Sequence, residues 1–243
     1  MRQYIWLSYD IFSSYGGVAI SKVTEKNLWM RSYEIWDHAN DLIEASEEEF
    51  FLSDGITNLK RSLNHRLQLI EKMYQFKKID FENKPKGYLE LLETYGLVRP
   101  YIMKELLKIR NGIEHYDEKP PNKLRCKEMS DVVWYFLKST DNIVQIMKYV
   151  IEFIIMDECG EETEFRYTIK LDWDRHYNLE IEGLLPAEYI SQDSNEKFIK
   201  VEKLEDKILY KSIDNKGGVV NGKFLLPKED YHLLLKDILM YAS

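Results

Sequence analysis

The sequence predicts an α+β protein, with a bundle of five helices followed by a small β-rich module. Between residues 23 and 157, apolar residues recur every three or four positions, whereas beyond Glu164 they alternate with polar residues. The acidic, glycine-containing run 157–164 separates the two patterns. We therefore expect a helical domain over residues 1–157 and a small α+β domain over residues 164–243 that ends in a helix.

The composition indicates a folded, soluble protein. Of the 243 residues, 44% are hydrophobic and 31% are charged, which allows a proper core and excludes a disordered chain. The net charge of -8 argues against a protein that binds nucleic acid over its whole surface, but it leaves local basic patches open. Two cysteines, Cys126 and Cys159, are too few for a disulfide scaffold, so we expect a reducing cytoplasm.

The apolar runs of the chain are too short for secretion or for a membrane span. Asp10 interrupts the opening run before it reaches the length of a signal peptide. The longest apolar stretch, residues 149–156, contains Glu152 and cannot cross a bilayer. We therefore expect neither a signal peptide nor contact with a membrane.

The first two helices are predicted from apolar spacing and from the breaks between them. The first runs from about Leu28 to Ile43, and the acidic run 47–49 together with Ser53-Asp54-Gly55 indicates a junction. The second reaches roughly Lys78. Its apolar stripe, which we expect to face the core, consists of Ile56, Leu59, Leu63, Leu67, Ile70 and Tyr74.

Three further helices complete the predicted bundle. A short helix over residues 88–95 ends at Gly96, and a fourth begins near Pro100 and ends before the run 117–121. The fifth is predicted from about Lys127 to Ile154, because apolar residues recur at helical spacing throughout that stretch.

The C-terminal module is predicted to contain four or five short strands and a final helix. The alternating runs are residues 165–171, 177–181, 198–201 and 208–210, residues 215–218 indicate a turn, and Pro227 opens the terminal helix. The first 20 residues are ambiguous. Ile5, Leu7 and Tyr9 occupy alternate positions, so they could add a strand to the same sheet or form a separate ribbon.

The residues most suggestive of chemistry lie at the end of the fourth helix. There Arg110, Asn111 and His115 place a permanent cation near a titratable imidazole. On an ideal helix Asn111 and His115 share a face, but Arg110 and His115 diverge by about 140°. Either Gly112 lets the last turn unwind, or the Arg and His side chains of two copies meet across an interface.

The pattern Arg110-Asn111-x-x-x-His115, late in a helix of a helical bundle, resembles the Arg-x-x-x-x-His signature of the HEPN superfamily. The resemblance covers roughly residues 28–155 and does not reach the β-rich tail. It implies a metal-independent endoribonuclease, acting in bacterial defence or as a toxin, whose active cleft forms between two HEPN units. Many HEPN toxins have a Tyr two residues after the His, where this chain has Asp117.

Cleavage of RNA by its own 2′-hydroxyl needs side chains of these types. A base removes the 2′-hydroxyl proton, an acid protonates the leaving 5′-oxygen, and a cation stabilises the charge that develops on the phosphate. His115 could act as acid or base, Arg110 could stabilise the phosphate, and Asn111 could orient the imidazole or hold the phosphate. The products would be a 2′,3′-cyclic phosphate and a 5′-hydroxyl.

A structural role explains the same residues equally simply. Arg110 and Glu114 are four apart and could form an ion pair on the helix surface. His115 near a helix C-terminus is favourable when protonated, whatever its function. The alternative prediction is therefore a noncatalytic HEPN-like module that dimerises and binds RNA, a nucleotide or a protein partner, and a toxin neutralised by an antitoxin is a third possibility.

Local charge supports an RNA partner. Residues 57–79 contain six basic residues and one acidic residue, and residues 99–127 contain eight basic and four acidic residues. If the two segments are neighbours, they would attract phosphate around the motif, although basic helix faces are often only solvated surfaces. The residues that we expect to bind RNA are Arg61, Arg66, Lys108, Lys119 and Arg125.

Other candidate sites are weaker. His65, two positions from apolar stripe residues on either side, is predicted to be a surface or boundary residue. Asp172, Asp174 and His176 alternate as they would on one strand face, but no further His or Cys accompanies them, so we expect neither a metal nor a cofactor. The sequence also lacks a phosphate-binding glycine loop, a nucleophile elbow and a zinc signature.

Overall fold

The computed structural model describes residues 4–193, 196–204, 207–213 and 216–241. Within these residues the chain forms seven helices and nine strands, and the strands build one antiparallel sheet. The α+β class predicted from the sequence is therefore confirmed. No helix in the described part of the chain combines the length and the apolar character needed to span a membrane.

The chain divides into two compact units whose boundaries differ from the predicted ones. The helical unit comprises Val23–Lys77 and Pro85–Met147. The sheet unit comprises Met1–Lys22, Lys78–Lys84 and Lys148–Ser243. Each unit is thus assembled from segments that are separated in the sequence, which a single boundary at residues 157–164 does not describe.

The helical unit contains six helices. These are α1 (Lys26–Ala45), α2 (Glu49–Tyr74), α3 (Tyr88–Thr94), α4 (Tyr101–Tyr116), α5 (Lys123–Ser139) and the short α6 (Asp141–Gln145). The long helices α1 and α2 pack against each other, α5 packs on both of them, and α4 packs on α2. The core between these helices includes the fully buried side chains of Ile43, Ile56, Leu59, Leu63 and Leu137.

The hairpin of α1 and α2 depends on Gly55, a glycine whose sequence context predicts a junction. Ser53, Asp54 and Gly55 all lie inside α2, so the predicted break covers only the residues before Glu49. A Cβ atom on Gly55 would lie 2.6 Å from Cγ1 of Ile43. Gly55 therefore allows the two helices to approach closely, and it does not end a helix.

The predicted fifth helix is too long. Helix α5 ends at Ser139, and residues 146–156 form strand β3 of the sheet. The run from Tyr149 to Ile155 is rich in β-branched and aromatic residues, which pack well on a pleated sheet. Its apolar residues fit both a helical and a strand period, and pairing with β4 (Glu162–Lys170) selects the strand.

In its described residues, the sheet unit contains nine strands. Besides β3 and β4, these are β1 (Tyr4–Ser8), β2 (Tyr15–Val23), β5 (Glu180–Pro186), β6 (Ile190–Ser191), β7 (Phe198–Lys203), β8 (Tyr210–Ser212) and β9 (Gly217–Phe224). Their order across the sheet is β2-β3-β4-β5-β9-β7-β1-β6, and β8 also pairs with β9. The final helix α7 (Lys228–Tyr241) follows Pro227, as predicted.

Two parts of this sheet bear on the sequence predictions. The N-terminal residues supply β1 and β2 to the same sheet, which is one of the two options left open above. Residues 217 and 218, expected in a turn, begin β9, and Asn215 of that expected turn lies outside the described residues. A Cβ atom on Gly222 would lie 2.4 Å from Cγ1 of Val201, so this glycine lets β7 approach β9.

Candidate functional site

Helix α4 positions the Arg-x-x-x-x-His motif without unwinding. The helix continues to Tyr116, and Asp117 ends it in the left-handed conformation with φ 54°, which Asp tolerates better than most residues. The backbone N–H of Asp117 donates to the carbonyl of Gly112. Because the last turn stays helical, Arg110 and His115 of one copy leave the helix in different directions.

Arg110 is held by its own helix. Its guanidinium forms an ion pair with Glu114, and Nη1 donates to Oδ1 of Asn111 at 3.2 Å. The ion pair is the one expected from a purely structural role. Nε of Arg110 is buried and has no hydrogen-bond partner among the described residues. The side chain as a whole is 16% exposed, so part of it reaches the surface.

His115 and Asn111 are both exposed on α4. In the described part of the chain, the side chain of His115 makes no hydrogen bond or ion pair. Asn111 contacts Arg110, so the positioning group of the predicted triad acts on the arginine in this structure. The imidazole is therefore available to an external ligand, whereas the guanidinium is already oriented by two neighbours.

Arg110 lies beside a basic surface of α2. A shallow depression of about 350 Å³ lies between the two helices, and its lining residues are Thr57, Lys60, Arg61, Asn64, His65, Gln68 and Arg110. Burial and the positive charge of Arg110 lower the pKa of Lys60. Three permanent or nearly permanent cations thus line one small concave surface, which is typical of a site for an anion.

His65 adds a titratable group to the same depression. Its Nδ1 lies 3.3 Å from Oγ of Ser32 on α1. Burial lowers the pKa of His65, and the charges of Arg31, Arg66 and Arg61 act in the same direction more strongly than Glu34 opposes them. His65 is therefore a boundary residue, as expected, but it also faces the surface that contains Arg110.

A second depression continues along the same face of α2. It measures about 470 Å³ and shares Asn64 and Gln68 with the first. Its other lining residues are Leu67, Glu71, Lys72, Lys77 and Tyr88. Nζ of Lys77 lies 4.9 Å from the centre of the Tyr88 ring, which is a cation–π contact. We call the two depressions together the α2 groove.

The predicted RNA-binding residues have different environments. Arg61 lines the α2 groove, and Lys108 is exposed on α4. Lys119 lies 3.6 Å from a carboxylate oxygen of Glu49, and Arg125 forms an ion pair with Glu128 on α5. Only Arg61 of this predicted set therefore lines the depression that contains Arg110.

The prediction that Arg66 binds RNA is wrong. Its side chain is 0% exposed and forms an ion pair with Asp141 at 3.0 Å. Nη1 also donates to the carbonyl of Leu137 and to Oγ1 of Thr140, and Nη2 donates to the carbonyl of Trp29. Arg66 therefore ties α2 to neighbouring helices inside the bundle and cannot contact a phosphate outside it.

Sequence reasoning missed most of the α2 groove. The sequence pattern places Lys60 in a basic segment and predicts no role for Asn64 or Gln68. The available signal was the spacing of polar residues at positions 57, 60, 61, 64, 65 and 68, which share one helix face opposite the apolar stripe. The proximity of α4 to that face could not be read from spacing.

The weak metal candidate does not lie on a strand. Asp172, Asp174 and His176 belong to the loop between β4 and β5, where Oδ1 of Asp172 accepts from the backbone N–H of Asp174 and Arg175. The predicted shared strand face is therefore absent. Among the described residues, no group of three or more His, Cys, Asp and Glu side chains is arranged to hold a metal ion.

Comparisons with known proteins give no independent assignment, because no protein-family model, curated protein or solved structure matches the chain.

Proposed function

We propose that the chain is a HEPN-type, metal-independent endoribonuclease that acts as a homodimer in bacterial defence or as a toxin, with the helical unit as its HEPN-like bundle. The observation that carries this proposal is the pairing of an oriented Arg110 beside the basic α2 surface with an exposed His115 on the same helix. The side-chain types are those that RNA cleavage by an internal 2′-hydroxyl requires.

In the proposed reaction, one imidazole removes the proton from the 2′-hydroxyl, and the 2′-oxygen attacks the adjacent phosphorus. The bond from phosphorus to the 5′-oxygen breaks, and a second, protonated imidazole supplies the proton that the leaving oxygen needs. Arg110 stabilises the additional negative charge on the phosphate. Asn111 positions Arg110 through its side-chain carbonyl, which accepts from Nη1 of Arg110 at 3.2 Å.

The proposed active site needs two copies of the chain, because one copy does not bring Arg110 and His115 to the same phosphate. Arg110 and His115 of a single α4 diverge by about 140° on the helix surface, so one chain cannot direct both side chains at one phosphate. A twofold contact between two α4 helices would bring two arginines and two histidines to one cleft, because an isologous interface uses the same surface patch of both copies. The base and the acid are then His115 of different copies.

The ion pair between Arg110 and Glu114 favours a second candidate function. A guanidinium that is already paired with a carboxylate has less charge to offer a phosphate, and such a pair also suits a helix that serves only packing or binding. The second candidate is the noncatalytic HEPN-like module, which would bind RNA, a nucleotide or a protein partner without cleaving RNA.

Single-turnover cleavage of single-stranded RNA in the presence of EDTA tests the proposal. We expect His115→Ala to reduce the rate at least about 100-fold, because general acid–base catalysis contributes about that much or more. Arg110→Lys keeps the charge but loses the planar fork, so we expect a large loss there as well. The matched control is His38→Ala, which removes another exposed histidine of the helical unit.

Circular dichroism and sedimentation must show that every variant is folded and has the size of the native assembly. Full activity of His115→Ala would remove the proposed mechanism. Binding of RNA by the native protein without any cleavage would favour the noncatalytic module. Loss of activity in His38→Ala as well would show that the assay reports stability and not chemistry.

A further inference from the structure

The α2 groove extends well beyond the motif. Its lining residues on α2 run from Thr57 to Lys72 along one helix face. At about 1.5 Å per residue, this distance is about 22 Å along the helix axis, which is enough for several nucleotides of an extended strand. The two depressions that share Asn64 and Gln68 therefore form a track and not an isolated pocket.

The charge of the groove is opposite to that of the whole chain. The chain carries a net charge of -8, yet only one carboxylate, from Glu71, lines the groove. Five cationic side chains line it, and they are Lys60, Arg61, Lys72, Lys77 and Arg110. Cations at both ends of a concave track suit a ligand with regularly spaced negative charges, such as a polynucleotide backbone.

The middle of the groove has a different chemistry. Asn64 and Gln68 each offer an amide with two N–H donors and a carbonyl acceptor. Gln68 is exposed, and Asn64 is half-buried. Amides of this kind can bond to the edges of nucleotide bases, which are accessible in a single strand but are paired in a duplex.

We propose that the α2 groove binds single-stranded RNA, with phosphates held near Lys60, Arg61 and Arg110 and base edges contacted by Asn64 and Gln68. This inference rests on the proposed function, because the RNA that binds at Arg110 would continue along the α2 groove. It also names the substrate class, which is single-stranded RNA and not a duplex. A duplex would present its phosphates on a rigid outer surface and hide the base edges that the amides address.

The sharpest test replaces the side-chain amide of Gln68, at the centre of the groove, by a carboxylate. Gln68→Glu is nearly isosteric and adds one negative charge to both depressions at once. Asn142→Asp is the matched control. It also replaces a side-chain amide by a carboxylate, but at an exposed position of the helical unit that does not line the groove.

The ligand for this test is a fluorescein-labelled single-stranded RNA that is 2′-O-methylated at every position, so that it cannot be cleaved by 2′-hydroxyl attack. Fluorescence anisotropy gives its Kd. We expect Gln68→Glu to weaken binding about threefold or more, since a carboxylate near a phosphate repels it even through water. Asn142→Asp should bind like the native protein, and the duplex of the same sequence should bind more weakly than the single strand.

The outcomes separate this inference from the catalytic proposal. A smaller change in Gln68→Glu, an equal loss in Asn142→Asp, a duplex that binds as tightly as the single strand, or no binding by the native protein would each overturn the groove inference. None of these measurements depends on cleavage. Conversely, cleavage by His115→Ala would overturn the catalytic proposal while leaving the binding result unchanged.

Discussion

At the residue scale, two arginines of the helical unit differ in burial, and this difference determines whether each can bind an external anion. Arg66 is fully buried, and its two terminal guanidinium nitrogens donate to Asp141 and to carbonyl and hydroxyl oxygens of the bundle. Arg110 keeps part of its surface exposed beside a basic depression. The first therefore stabilises the fold, whereas the second can meet an anionic ligand.

The spacing of residues on α2 predicts that Arg66 is buried, although a charged side chain is usually exposed. Leu59, Leu63, Arg66 and Ile70 are spaced by four, three and four residues, which places Arg66 on the buried stripe of α2. A charged residue at such a position needs a buried partner, and that partner is Asp141, 75 positions away. Spacing on one helix predicts burial but cannot identify a partner so distant in sequence.

The buried role of Arg66 predicts a large stability difference from its exposed neighbour. We expect Arg66→Met to lower the free energy of unfolding by about 3 kcal/mol, because it removes the buried guanidinium that pairs with the Asp141 carboxylate and donates to several bundle oxygens. Arg61→Met, on the exposed face of the same helix, should change it by less than about 0.5 kcal/mol. Urea denaturation at neutral pH measures both, and similar values for the two variants would contradict the assignment.

At the element scale, the sequence predicts most helix positions, but its fifth helix is too long and it predicts fewer strands than the structure contains. Local signals gave α1, α3 and α4 and the start of α7, because caps, prolines and apolar spacing act within a few residues. Strand β3 was predicted as helix, and β9 was missed because its glycines suggested a turn. In both strands the pairing with another strand overrides the local pattern, as in the pairs β3–β4 and β8–β9.

The candidate site was likewise predicted only in part. The motif on α4 and the cation Arg61 were predicted from sequence, since each is visible within one helix. The α2 groove was not predicted, because it depends on α4 and α3 residues lying beside α2. Contacts between helices follow from tertiary packing, which spacing alone does not determine.

Because α1 and α2 lie in close contact at Gly55, we expect its replacement by alanine to destabilise the protein. Alanine is the better helix former by about 1 kcal/mol. However, its Cβ atom would lie 2.6 Å from Cγ1 of Ile43, whose side chain is fully buried. We expect Gly55→Ala to lower the free energy of unfolding by about 1–3 kcal/mol, which is typical of overpacking in a core.

A double-mutant cycle supplies the control for this prediction. In an Ile43→Ala background the Ile43 atoms closest to the added methyl group are gone, so Gly55→Ala should cost much less, and the methyl group would fill part of the space. Urea denaturation of the four proteins gives the coupling energy. Equal costs of Gly55→Ala in both backgrounds would show that the contact with Ile43 is not the cause.

At the scale of the whole molecule, the chain alternates between its two units. It passes from one unit to the other after Lys22, after Lys77, after Lys84 and after Met147. This alternation explains why a single composition boundary did not describe the domains. Contributions from distant segments to one sheet, such as the pairing of β1 with β7, are not visible as a local change of pattern.

The short segment Lys78–Lys84 shows how such a distant contribution is held within the sheet unit. The phenol of Tyr177 accepts from the backbone N–H of Asp80 at 2.6 Å and donates to its carbonyl at 3.0 Å. The ammonium group of Lys228 lies 2.5 Å from the Asp80 carboxylate, and this hydrogen bond lowers the pKa of Asp80. The ring of Phe81 stacks on His232 with centroids 3.8 Å apart.

The central claim, cleavage of RNA by its own 2′-hydroxyl in a dimer, belongs to this largest scale, because it requires two copies of α4. The most direct measurement is mass spectrometry of the ends that the native protein leaves on a single-stranded RNA in the presence of EDTA. We predict fragments with 2′,3′-cyclic phosphates and 5′-hydroxyls, the products of that attack. Fragments with 3′-hydroxyls and 5′-phosphates, or RNA that stays intact, would contradict the claim.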